Sequence, residues 1–94
     1  MNREQRYNAI MVEASRVYRE ATMAEFTYYV ANCIEAGARY RASTGDVLVA
    51  QDECREEIEE AGRLYDAAVV VQLEAYIKKR DAALEEYRFS EFCS

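Results

Sequence analysis

Glu60-Ala61-Gly62-Arg63-Leu64-Tyr65 is the stretch whose reading decides the fold, because its form returns as Glu13-Ala14-Ser15-Arg16-Val17-Tyr18 and Glu35-Ala36-Gly37-Ala38-Arg39-Tyr40. Each phrase ends in a tyrosine, and the tyrosines keep a strict interval. Tyr7, Tyr18, Tyr29 and Tyr40 stand eleven apart, as do Tyr65, Tyr76 and Tyr87, with Cys54 one interval earlier. Eleven residues make three turns at about 3.67 residues per turn, so each series runs almost straight along one helical face. A helical side chain leans back over positions i−3 and i−4, which in these phrases hold Ala, Gly or Ser. Gly37 and Gly62 therefore read as sites where a ring or a neighbouring backbone packs closely.

Outward from these phrases the chain stays helix-forming. It has no Pro and three Gly, and Ala, Glu and Arg lose little freedom in a helix. Ser43-Thr44-Gly45-Asp46 is the one cluster of turn-favouring residues. The expected fold is all-α: an antiparallel helical hairpin of two long helices, over about 3–42 and 50–88, forming a single helical domain across 1–94. Folding back at the turn pairs Tyr7 with Tyr87, Tyr18 with Tyr76, Tyr29 with Tyr65 and Tyr40 with Cys54, each pair totalling 94 in residue number. The rival is a compact three- or four-helix monomer broken near Thr22, where Thr22-Met23-Ala24-Glu25 matches a capping box. The tyrosine period passes through Thr22 without a shift, which favours the long helices.

Fifteen alanines and eight tyrosines leave sixteen Val, Ile and Leu for bulky aliphatic packing. Two helices with so thin a core predict self-association into a helical bundle, a possible homodimer. The seam is assigned to Tyr7, Tyr18, Tyr29, Tyr40, Tyr65, Tyr76 and Tyr87, as packing within the chain or between copies.

The sequence lacks histidine, which removes the usual general base near neutral pH and the commonest metal ligand. It also lacks GxGxxG and GxxxxGK[ST] loops. Neither an enzyme activity nor a cofactor or metal is expected. The longest apolar run, Ala67 to Val71, is far too short for a membrane span, and the charged start leads into no signal-like segment. Cys33, Cys54 and Cys93 form neither a disulfide framework nor a zinc pattern, and Cys93 is expected to be exposed. Together these features predict a cytoplasmic protein that does not bind membranes.

The net charge of −6 is unevenly placed: residues 1–43 carry six basic and five acidic side chains, residues 44–94 six and thirteen. Such a chain is repelled by nucleic acid and drawn to basic proteins. The basic trio Lys78-Lys79-Arg80 is too small and too surrounded by acids for a nucleic-acid footprint. Glu53, Glu56, Glu57 and Glu60 follow an i, i+3, i+4, i+7 pattern and share a helical face beside Asp52 and Glu59. Acids in a helix's first turns are also favoured by its dipole, so a solvated face is the plain alternative.

Weighing both, the sequence predicts a non-catalytic acidic protein-binding module, an inhibitor or adaptor. Its partner would be a protein with a basic surface that handles nucleic acid, in the manner of a phage-type inhibitor of a host defence complex. The competing expectation is a self-associating structural or assembly protein.

Overall fold

The computed structural model describes residues 2–93, with side chains through residue 89. Two helices account for the fold, α1 (Arg3–Ala42) and α2 (Val47–Cys93), and no strand occurs among the described residues. The all-α helical hairpin read from the tyrosine spacing is the fold observed.

Local hydrogen bonds explain where each helix begins. At the start of α1, Asn2 N–H donates to Gln5 Oε1 at 3.0 Å and Gln5 N–H donates to Asn2 Oδ1 at 2.8 Å, a reciprocal capping box. Thr22 forms no such cap. Its hydroxyl donates to the Tyr18 carbonyl at 2.9 Å and lies 3.1 Å from that of Arg19, so it bonds back onto the preceding turn. The helix runs on through Thr22, and the broken three- or four-helix alternative is set aside.

Helix α2 starts three residues before the expected position 50. Asp46 Oδ1 accepts from Leu48 N–H at 2.8 Å, and Asp46 O accepts from Ala50 N–H at 3.0 Å. Asp46 is therefore the N-cap, and Val47-Leu48-Val49 form the first turn instead of a linker. These three side chains are 53–71 % exposed. At the other end nothing after Tyr87 breaks helices, and α2 continues to Cys93. The side chain of Cys93, expected to be exposed, lies outside the described residues.

Packing divides the chain into two units, Met1–Thr22 with Val70–Ser94, and Met23–Val69. Each contains a segment of α1 against a segment of α2. In the first unit Tyr7 meets Tyr87 with ring centroids 5.6 Å apart, and Tyr18 meets Tyr76 at 5.7 Å. Arg6 bridges to Glu86 at 2.8 Å, and the Arg3 guanidinium sits 4.6 Å from the Tyr87 ring centroid. In the second unit Tyr29 meets Tyr65 at 5.4 Å, and Phe26 closes on Tyr65 edge-on at 5.9 Å.

The buried core consists of alanine: Ala14 and Ala83 in the first unit, Ala36, Ala50 and Ala61 in the second. Each stands four residues before a member of the tyrosine and Cys54 series, at the place over which the helical side chain leans. The same offset from Tyr29 and Tyr76 gives Glu25 and Gln72, which are half-buried.

The two helix-interior glycines differ from their expected role. A Cβ at Gly62 would lie 3.9 Å from Tyr29 Cε2, and one at Gly37 would lie 3.5 Å from the flexible Arg41 Nη1. Both are ordinary contacts, so neither position requires glycine for close approach. Gly62→Ala is therefore expected to stabilise the protein by about 0.5–1 kcal/mol through helix propensity. A raised urea midpoint with unchanged slope is the readout; a lowered midpoint would restore the close-packing role.

Candidate functional site

The acidic stretch at the start of α2 builds the most distinctive surface of the Met23–Val69 unit. Glu53, Glu56, Glu57 and Glu60 line an open groove of about 530 Å³ with Arg39 and Arg63, over Ala61 and Leu64. The i, i+3, i+4, i+7 spacing puts the four carboxylates on one side of α2, while α1 contributes Arg39 from across the hairpin. Asp52 and Glu59 fall outside this groove.

Arginines interleave with the acids. Arg39 Nε donates to Glu57 Oε2 at 3.2 Å and also pairs with Glu35 on its own helix at 3.2 Å. Hydrogen bonding to Glu57 is the main cause that holds the Arg39 guanidinium above its ordinary value, with the charges of Glu57 and Glu35 acting alongside. Arg63 Nε donates to Glu60 Oε2 at 3.0 Å. Arg55 takes Asp52 at 3.1 Å and reaches Glu59 at 3.9 Å. Glu53 and Glu56 have no ion pair among the described residues. The groove thus presents four carboxylates against two guanidiniums and stays net negative. All its ion pairs are solvent-exposed, so each contributes little to stability.

No group of three Asp, Glu or Cys side chains that could hold a metal ion occurs among the described residues. Nor is any helix among them long and apolar enough to cross a membrane.

Six members of the tyrosine series pair their rings across the hairpin within one chain, Tyr7 with Tyr87, Tyr18 with Tyr76 and Tyr29 with Tyr65. Tyr40, the last on α1, accepts a hydrogen bond from Gln51 Nε2 at 3.3 Å. With Cys54, Arg55 and Ile58 it lines a second hollow of about 370 Å³. Cys33 and Cys54 are half-buried free thiols. Hydrogen bonding with Cys33, one turn on, leads the causes that hold the Tyr29 phenol above its ordinary value; the charge of Cys33, partial desolvation and Asp66 act in the same direction.

A further groove belongs to the other unit, where Glu13 and Glu86 stand with Lys79 over Ile10, Ala14 and Ala83. Arg16 hydrogen-bonds Glu13, which holds that carboxyl below its ordinary value, and also pairs with Glu20 at 2.8 Å.

Two residues that shape these surfaces escaped the sequence reading. Arg39 carries no spacing signal for its tie to Glu57, eighteen residues away. Phe26 stands outside the eleven-residue series yet joins the Tyr29 and Tyr65 rings, since it lies about one turn before Tyr29 on α1. Compared with known protein families, curated proteins and solved structures, the chain matches none.

Proposed function

We propose that this chain is a non-catalytic protein-binding module of the cytoplasm, an inhibitor or adaptor, which offers the groove of Glu53, Glu56, Glu57 and Glu60 to a protein with a basic surface. The observation carrying this reading is the company these carboxylates keep. Glu53 and Glu56 have no ion pair among the described residues, Glu57 and Glu60 are held in place by Arg39 and Arg63, and Leu64 beside them is 55 % exposed. Fixed carboxylates can stand in for phosphates on a cationic surface and gain from the same release of counterions. An apolar floor supplies area that salt does not screen. A nucleic-acid-handling protein is the partner class that suits such a surface.

The test is affinity capture of host proteins on the immobilised chain, comparing the wild type with the Glu53→Gln, Glu56→Gln, Glu57→Gln, Glu60→Gln variant. Loss of the groove's charge should slow association of a basic partner by about tenfold or more at low salt and flatten its salt dependence. A captured set and association rates unchanged by the four substitutions would remove the groove from the function.

A further inference from the structure

A second eleven-residue series runs along α1, on residues turned away from the tyrosine seam: Val12, Met23 and Ile34, which are 71 %, 63 % and 64 % exposed. In the Met23–Val69 unit its members belong to a longer uncharged stripe, Met23, Thr27, Val30, Ile34 and Ala38, at helical spacings of four, three, four and four. Thr27 adds no free polar group to it. Its hydroxyl donates to the Met23 carbonyl at 2.9 Å, so its hydrogen-bonding need is met within the helix and its methyl can serve as apolar surface. Among these residues only Val30 is half-buried, and the rest are exposed.

We infer that this stripe is the contact through which two copies of the chain associate, helix against helix and antiparallel about a two-fold axis between Val30 and Ala31. In that arrangement Met23 meets Ala38 of the other copy, Ile34 meets Thr27, and Val30 meets Ala31. Every large side chain faces a smaller one, which is the self-complementarity an isologous interface requires and the alternation that lets packed layers interdigitate. A parallel pairing would instead set Met23 on Met23 and Ile34 on Ile34, with gaps at Thr27 and Ala38.

The symmetry of the stripe about Val30 and Ala31 is what points to a second copy as the occupant, and the surface area of the whole chain leaves room for one. The chain exposes 7207 Å², against roughly 5,600 Å² for a folded monomer of its mass. The surplus of about 1,600 Å² exceeds the ~800 Å² that each partner buries in a standard interface. This contact is independent of the acidic groove, which lies on other residues.

Ile34 and Thr27 face each other across the axis, so opposite charges placed there test both the contact and its direction. By analytical ultracentrifugation, wild-type chain is expected to be a dimer. Ile34→Arg and Thr27→Glu should each weaken it by about a hundredfold, because each leaves a charge facing apolar surface. Equimolar mixing of the two variants should recover a heterodimer through the Arg–Glu pair, with helicity by circular dichroism unchanged throughout. Should either charged variant lose helicity, Ile34→Ser supplies the same reading without a charge. A wild-type monomer at every concentration, a dimer indifferent to these substitutions, or no recovery on mixing would overturn the proposal.

Discussion

Tyr29→Ala is expected to lower the stability of the protein by about 2–3 kcal/mol, the largest loss from any single truncation outside the alanine core. The ring is central to the one three-membered aromatic cluster among the described residues: its centroid lies 5.4 Å from Tyr65 and 6.3 Å from Phe26, which itself touches Tyr65. Truncation removes both contacts and leaves a hollow beside Gly62, whose backbone faces the Tyr29 edge. The figure falls below the ~3–5 kcal/mol of a fully buried aromatic because Tyr29 is only half-buried. Tyr7, with one ring neighbour and a guanidinium above its partner, should lose less when truncated. Urea unfolding followed by far-ultraviolet circular dichroism measures both. A double-mutant cycle on Tyr29 and Tyr65 should return a coupling of about 0.5–1.5 kcal/mol. A loss under 1 kcal/mol for Tyr29→Ala, or no coupling, would mean that the rings are aligned without being load-sharing.

Why the hairpin was legible and the groove only partly so follows from the range of the interactions involved. Tyr7, Tyr18 and Tyr29 find Tyr87, Tyr76 and Tyr65 because the same interval governs both helices, and a single turn at Ser43 to Asp46 then fixes every level at once. Helix ends depend on single hydrogen bonds, which composition does not announce. Asp46 closes α2 over Val47-Leu48-Val49, and Thr22 bonds backward to Tyr18 instead of capping forward.

The acidic face was visible as an i, i+3, i+4, i+7 pattern, but its net character was not. Arg55 sits inside the same stretch and Arg63 one turn past its last carboxylate, where they draw Asp52 and Glu60 to themselves, and Arg39 arrives from the other helix. Six carboxylates in nine residues, Asp52 to Glu60, therefore resolve into a smaller groove in which, among the described residues, only Glu53 and Glu56 lack a cation. The glycines illustrate the opposite error. Their recurrence before Tyr40 and Tyr65 reads as a need for space, whereas Gly62 has room for a Cβ and the confined positions are the alanines next to them.

Those alanines set the second large effect. Ala36 is 1 % exposed, the most enclosed residue among those described, and lies four positions before Tyr40 on the face that α2 covers. Ala36→Leu adds three heavy atoms where two helices approach over a single methyl group, and the nearest relief is to push the Arg39–Glu57 tie and the Tyr40 ring outward. A cost of about 1–3 kcal/mol is expected from such overpacking, against a total stability that for a domain of this size is only about 5–15 kcal/mol.

Leucine is nearly as good a helix former as alanine, so propensity cannot account for the loss. Ala67→Leu, at an exposed helical position of the same unit, provides the matched control and should change stability by less than about 0.5 kcal/mol. The pair separates a core defined by the absence of side chains from one defined by hydrophobicity in general. If Ala36→Leu unfolded at the wild-type urea midpoint, the helices would have slack to move apart, and the alanines would follow the tyrosine period without determining how closely the two helices pack.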